Sequence, residues 1–265
     1  EQWAFQDTSS LKEIELSENL ETIGPNSFQC SGIESITIPD SVKEIGDNAF
    51  KNCDALTEIT IPATVTEIGD GVFVSCDALE KATLPDGLTT IAPDMFNLCK
   101  NLKEVNIPDG VETIGTQAFL KCESLESVTI PDSVKEIGDY AFQNCDSLTE
   151  ITIPGSVDNI GKYAVSYNDN LKKLVVEEGV TTLSTGAFLR NPNLTDVTLP
   201  GSLKSIGTYA FQFCTSLESV TLGDGIETLG SYMFSACSSL KSIVIPDSVK
   251  TIGSNAFHYC TRLSQ

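Results

Sequence analysis

The chain has 265 residues and a formal net charge of −21, with 37 acidic side chains against 16 basic ones. Affinity for nucleic acid comes from neutralising phosphates, and anionic membrane surfaces attract basic segments, so this charge argues against both as partners. No apolar run approaches the ~18 residues of a membrane span. We therefore expect no nucleic-acid partner and no membrane insertion in this segment.

One phrase repeats along the chain with a fixed step. Its leucine returns every 23 residues from Leu56 to Leu263, and the frame extends back to Ile33 and then, through one 22-residue copy, to Leu11. A fixed period of this length predicts a solenoid, in which each unit buries its apolar side chains only by stacking on its neighbours. We expect residues 1–265 to form a single solenoid of about eleven complete coils.

Both ends of the sequence fall inside a repeat. Phe5 lies six residues before Leu11, as Phe50 lies six before Leu56, and Leu263 opens a unit that the chain does not finish. Terminal coils without a polar cap expose core. The expectation is a segment of a longer protein, with any signal peptide or anchor outside it.

Each copy begins with a strand. In residues 125–145, Val128 and Ile130 alternate with polar residues, which predicts a half-buried strand, and Pro131 ends it. The Pro-Asp-Ser sequence that follows is typical of a turn. Two further apolar residues, Val134 and Ile137, predict a second inward-facing segment.

The second half of each copy contains a recurrent glycine and a short apolar stretch. Gly138 indicates a corner that needs positive φ or close backbone approach, although Ala92 and Ser184 replace this glycine in two copies. Ala141 to Cys145 is too short for a stable α-helix by itself, so it predicts a 3₁₀ or single helical turn.

The full phrase, L-x-x-I-x-I-P-x-x-V-x-x-I-G-x-x-A-F-x-x-C, is similar to the BspA-type leucine-rich repeat. Residues 56–76 and 125–145 carry it, and it covers nearly the whole chain. The resemblance implies a β-rich α/β repeat fold, a right-handed leucine-rich-repeat solenoid with a concave parallel β-sheet. Proteins of that family are typically surface-exposed or secreted and associated with adhesion to host proteins or other cells. Because the motif is a scaffold motif, it transfers no binding residues.

The nine cysteines share one repeat position, and Asn168 and Asn191 fill its two gaps. This exchange predicts a small buried side chain that donates a hydrogen bond to a carbonyl of a neighbouring coil. Disulfides between adjacent coils are disfavoured, because a coil spacing of ~4.8 Å exceeds the ~3.5–4.5 Å that the Cβ atoms of a disulfide require. The cysteines are Cys30, Cys53, Cys76, Cys99, Cys122, Cys145, Cys214, Cys237 and Cys260.

No motif for catalysis or metal binding accompanies the repeat. The single histidine, His258, occupies a variable position of the copy, and no G-x-S-x-G, H-E-x-x-H, zinc or phosphate-binding sequence occurs. The recurrent Asp residues fall in turns, and the nonapeptide calcium repeat is absent. We predict a non-enzymatic protein with no catalytic residues, no metal and no cofactor.

The outward positions of the predicted strands form the first candidate site. They carry mixed charges beside a row of threonines, and threonine also suits any exposed strand. The alternative interpretation is a flat, weakly acidic concave platform for a protein ligand. Its residues are Glu58, Thr60, Lys81, Thr83, Glu104, Asn106, Thr129, Glu150 and Thr152.

Two other features are candidate contact surfaces. The copies around 157–192 depart from the phrase, and Lys162, Lys172 and Lys173 gather there, either through decay of the repeat or as an alternative epitope. Tyrosines recur two residues before the Phe position, where they either cover the next coil or form a contact row. They are Tyr140, Tyr163, Tyr209 and Tyr232.

The resulting expectation is a protein-interaction scaffold, an adhesin-like segment of a bacterial protein located outside the cell or at its surface. Its partner would be a protein of the host or of another cell. The alternative is a structural spacer that carries another domain and has no ligand of its own.

Overall fold

A computed structural model describes residues 2–264 and shows a stack of coils with three faces. In each coil the chain runs along a first strand face, turns, and runs along a second strand face. It then returns through a third face, which we call the turn face and which consists of the segment between the recurrent glycine and the cysteine. Strands of successive coils pair in parallel, in register at the 23-residue step. The predicted parallel-strand solenoid is thus confirmed.

The first strand face contains the strands that begin each copy. They form the sheets β3-β5-β7, β10-β12-β14 and β16-β18. Their bounds are β3 Glu58–Thr60, β5 Lys81–Thr83, β7 Glu104–Val105, β10 Glu150–Ile153, β12 Lys173–Val176, β14 Asp196–Thr198, β16 Ser219–Val220 and β18 Ser242–Ile243.

The second strand face contains shorter strands of two residues each, whose second residue points into the core in nearly every coil. Their bounds are β1 Thr22–Ile23, β2 Glu44–Ile45, β4 Glu67–Ile68, β6 Thr90–Ile91, β8 Thr113–Ile114, β9 Glu136–Ile137, β11 Asn159–Ile160, β13 Thr182–Leu183, β15 Ser205–Ile206, β17 Thr228–Leu229 and β19 Thr251–Ile252.

The helical turns predicted on the turn face are wrong, because no helix is present anywhere in residues 2–264. Around Phe50, for example, Asn48 and Asn52 have φ of 53° and 58°, in the left-handed region. Cys53 N–H bonds to Phe50 C=O, three residues back, as in a β-turn rather than an α-helix. Two left-handed residues per coil therefore replace the expected helical turn.

The turn face has a hydrogen-bond ladder of its own, which we call the turn-face ladder. At the junction after Phe50, the N–H groups of Asn48, Phe50 and Asn52 donate to carbonyls of the next coil at 2.8–2.9 Å. The same three bonds occur at each of the eleven junctions from Trp3 to His258. These three N–H groups, which a helix would bond within one coil, instead join neighbouring coils.

A single apolar cluster fills the centre of the stack. Phenylalanine rings of successive coils stack at 5.1–5.6 Å from Phe5 to Phe142, and the stack resumes from Phe188 to Phe257. Val165 interrupts it. Each coil thus adds one aromatic layer to a continuous core.

The predicted cysteine hydrogen bonds are present. Cys122 Sγ donates to Phe96 C=O at 3.3 Å, and Asn191 Nδ2 donates to Val165 C=O at 2.9 Å in the same arrangement. The prediction is wrong for Asn168, whose Nδ2 has no partner among the described residues and whose Oδ1 accepts the N–H of Cys145. Burial raises the pKa of the Cys53 thiol to about 12, which keeps such thiols protonated and able to donate.

Cys30 is the exception, and its assignment to this row is wrong. The residue missing from the 22-residue copy lies after Ser31, so Cys30 comes two residues after its phenylalanine instead of three. It takes a left-handed position with φ of 59°, while Ser31 occupies the buried site against Cys53, with 3.4 Å between Oγ and Sγ.

Candidate functional site

The first strand face presents the predicted platform residues to solvent. In β3, Glu58 and Thr60 point outward while Ile59 is buried. Strand register places Lys81 between Glu58 and Glu104, and Lys81 Nζ lies 2.9 Å from Glu104 Oε1. The hydrogen bond to Glu104 also raises the pKa of the Lys81 ammonium. Charges of opposite sign therefore alternate along this row.

A second block repeats the arrangement. Lys173 in β12 lies in register between Glu150 and Asp196, with 3.6 Å between its Nζ and Glu150 Oε2. Thr152 is exposed in the same face. Lys173, predicted as part of a rival epitope, thus belongs to the same charged row as Glu150.

The other lysines of that alternative epitope are placed differently. Lys172 immediately precedes β12, and its carbonyl accepts the N–H of Thr195. Lys162 lies on the turn face, where its N–H donates to Asp139 Oδ1 at 2.7 Å. The structure does not bring Lys162 together with Lys173, so the three lysines do not form one basic patch on a single face.

Between the two blocks, the coil that contains Thr129 has no paired strand on the first strand face. At the junction before it, the Asn106 carboxamide accepts the N–H of Leu84 at 2.8 Å and donates to Leu84 C=O at 3.1 Å. The side chain thereby replaces the backbone in the ladder. A groove of about 260 Å³ lies here, lined by residues that include Glu104, Asn106 and Thr129.

Asn106 therefore has a structural contact that sequence reasoning missed. The available signal was the asparagine itself, at a position where most copies have threonine. Asparagine can mimic a peptide group, and this ability distinguishes the two residue types at that position.

The tyrosine row is partly covered by its own members. Tyr140 stacks on Tyr163 at 5.5 Å between ring centroids, and Tyr209 on Tyr232 at 5.4 Å. All four side chains are half-buried. This packing favours the interpretation that each tyrosine covers the neighbouring coil.

Within residues 2–264, no group of three or more His, Cys, Asp and Glu side chains is placed to hold a metal ion. The same residues contain no helix long and apolar enough to cross a bilayer.

The platform is a hydrogen-bonding surface with fixed charges. The rows of Glu58 and Glu150 together carry four carboxylates and two ammonium groups.

Comparison with known proteins identifies the family. A model of six copies of the BspA type leucine rich repeat region matches residues 1–103, 89–200 and 188–265. The chain belongs to the BspA-type leucine-rich repeat family. None of the curated proteins compared with the chain matches it.

Solved structures agree with this BspA-type assignment. A leucine-rich repeat protein from Bacteroides ovatus is 34% identical, with a TM-score of 0.81 over 99% of this chain and 74% of that one. A leucine-rich repeat protein of T. pallidum is 28% identical, with a TM-score of 0.56 over 73% and 79%. The pneumococcal vaccine antigen PcpA, 21% identical over 96% and 67%, shares the fold with a TM-score of 0.61.

Proposed function

We propose that this BspA-type chain is a non-enzymatic protein-binding scaffold, an adhesin-like segment displayed at a cell surface or secreted. The observation that carries the proposal is the first strand face, where two blocks of strands present alternating charges and threonines outward on a backbone held in register. Solenoids use extended surfaces of this kind to bind partners.

The partner is a protein of a host or another cell, held on a platform that includes Glu58, Lys81, Glu104 and Glu150. Exposed charges of this kind steer encounter more than they slow dissociation. An exposed ion pair such as Lys81–Glu104 contributes only about 0–1 kcal/mol to stability, so these side chains are free to exchange partners when a ligand arrives.

A structural spacer is the second candidate. The observation in its favour is that ion pairs join residues of successive coils, including Lys103–Glu80 at 2.9 Å and Lys241–Glu218 at 2.6 Å. Such pairs satisfy part of the surface charge within the chain. A spacer needs only a stable, folded stack of coils with no binding surface.

Binding of the purified chain to immobilised extracellular-matrix and serum proteins separates the two functions. The test variant replaces Glu58, Glu104 and Glu150 together by Gln. The matched control makes the same three changes in Glu44, Glu67 and Glu136, which are exposed on the second strand face. Scaffold function predicts that only the first variant associates several-fold more slowly and loses salt dependence.

Two outcomes contradict the platform. If no protein of the panel binds, the spacer is the better description. If binding survives the first variant but is lost when Lys162 and Lys172, which lie outside the charged row, are changed to Glu, the epitope lies in the irregular copies. Each variant should keep its stability within about 0.5 kcal/mol per substitution, because the side chains are exposed, and circular dichroism checks this.

A further inference from the structure

The second strand face is divided into three separate sheets. Its strands pair as β1-β2-β4, then β6-β8-β9-β11, then β13-β15-β17-β19. Pairing is therefore missing at two junctions, between Ile68 and Thr90 and between Ile160 and Thr182. In the coils that follow these two junctions, the recurrent glycine is replaced by Ala92 and Ser184.

Hydrogen bonding follows the same division. At each of eight other junctions the recurrent glycine donates its N–H to a carbonyl of the preceding coil at 2.7–2.8 Å. Among the described residues, Ala92 and Ser184 make no such bond. The glycines are Gly46, Gly69, Gly115, Gly138, Gly161, Gly207, Gly230 and Gly253.

The glycine is needed for room rather than for backbone conformation. A Cβ added at Gly115 would lie 2.5 Å from Pro93 N and 2.8 Å from Ala92 C, whereas ordinary contact begins at 3.4 Å. None of the eight has a left-handed φ. A methyl group at this position thus forces the coil about 1 Å away from its predecessor, since packed atoms do not overlap.

At the Ala92 junction, where the second strand face is unpaired, the turn face and the first strand face remain hydrogen-bonded. The turn-face ladder keeps its bonds from Gly71, Phe73 and Ser75 to the next coil at 2.8–2.9 Å. On the first strand face, Ile61 N–H donates to Thr83 C=O at 2.9 Å. These bonds provide an axis about which the junction can open on one side only.

The two parted junctions differ in how far they are open. At Ala92, the Ile68 side chain is partly exposed although Ile45 and Ile91 in the adjacent coils are 0% exposed. A groove of about 400 Å³ lies there between the coils. At Ser184 the core is closed, with Ile160 1% and Leu183 0% exposed.

We propose that Ala92 makes this junction a hinge, at which the solenoid bends by opening its second strand face about the turn-face ladder. The coils before and after the hinge move as blocks, because every other junction from Thr22 to Ile160 keeps its second-face bonds. Ser184 marks a second joint that is packed shut. This device does not depend on the proposed ligand or on the platform.

Spin–spin distances measured by double electron–electron resonance test the hinge. Nitroxides are attached through p-acetylphenylalanine, which avoids the native thiols, at Lys43 and Glu112. The matched control pair, Thr181 and Lys250, spans the same number of coils in the same row without a parted junction. We expect the first pair to have a broader distribution with a longer mean, by about 1 Å or more.

Substitutions at the recurrent glycine position test whether the methyl group of Ala92 causes the broad distribution. A92G should narrow the Lys43–Glu112 distribution to that of the control pair, whereas S184G should leave it unchanged. Conversely, G230A places a methyl group in an intact junction and should broaden the Thr181–Lys250 distribution. Equal distributions for the two pairs, or a broad Lys43–Glu112 distribution that persists in A92G, would overturn the proposal.

Hydrogen exchange gives an independent reading if G230A fails to fold. Thr89 N–H makes no bond to the preceding coil, whereas Glu112 N–H, one coil later, donates to Thr89 C=O at 2.8 Å. In the parent chain the Thr89 amide should exchange at least about ten-fold faster than the Glu112 amide. A92G should abolish most of this difference, and an unchanged ratio would contradict the steric cause.

Discussion

Truncation of one phenylalanine in the middle of the stack should cost far more stability than the same truncation in the last coil. Phe119 is 0% exposed and stacks on Phe96 at 5.5 Å and on Phe142 at 5.1 Å. Phe257 is partly buried and stacks on Phe234 alone, at 5.9 Å. The comparison isolates the contribution of having a neighbour on both sides.

The magnitudes follow from these contacts. A buried Phe→Ala change costs about 3–5 kcal/mol, and each aromatic stack adds about 0.5–1.5 kcal/mol to area burial. Phe119→Ala removes two stacks from a closed site, so we expect a loss of about 4–5 kcal/mol. Phe257→Ala removes one stack from a partly open site, where we expect about 1–2 kcal/mol.

Urea unfolding of the 265-residue chain, followed by far-ultraviolet circular dichroism, measures both losses. Each coil contacts only its neighbours, so the nearest-neighbour terms of a solenoid determine the difference. Similar midpoints for the two variants would refute the reasoning, because they would mean that the last coil unfolds only with the whole stack.

Three further predictions concern titratable and hydrogen-bonding side chains. Cys30 should react with a thiol reagent in the folded protein, whereas Cys122 should react only on unfolding, because burial raises the pKa of its thiol and closes access; equal labelling rates by mass spectrometry would contradict this. Cys122→Asn should destabilise less than Cys122→Asp, since an unpaired buried carboxylate costs several kcal/mol, and equal melting temperatures would exclude the hydrogen-bond role. Burial and then the nearby charge of Asp169 raise the pKa of Asp146 above its ordinary 3.8. The folded state therefore binds more protons than the unfolded state, and stability falls as pH rises through the window above 3.8. Asp146→Asn should raise the melting temperature at pH 7 and change it little at pH 3, and a loss of stability at pH 7 would show that the carboxylate is favourably bound.

The features that the sequence predicts correctly are those in which every copy agrees. The 23-residue step, the inward positions of the strands and the thiol hydrogen bonds all depend on contacts that recur in each coil. Stacking makes such positions nearly equivalent, so one copy is enough to interpret the others. The family assignment rests on the same regularity.

The features that sequence reasoning missed are decided by one atom or one residue. The turn face fails as a predicted helix because asparagine, glycine and even tyrosine are held in left-handed conformations by bonds to the next coil. The carboxamide of Asn106 takes over a backbone bond. The outward row with Glu58 is placed by register, but whether a ligand uses it is a property of the partner.

The turn-face ladder also has an electrical consequence. Its peptide groups all point their N–H toward later coils, and three of them recur at every junction. An α-helix aligns one peptide per ~1.5 Å, or about three per ~4.8 Å coil spacing, so the two structures have a similar density of aligned dipoles. The sense is reversed, because the N–H groups of a helix point toward its N-terminus. The turn face therefore resembles a helix dipole with its positive pole at the end of the ladder formed by the later coils, which favours anionic groups at that end.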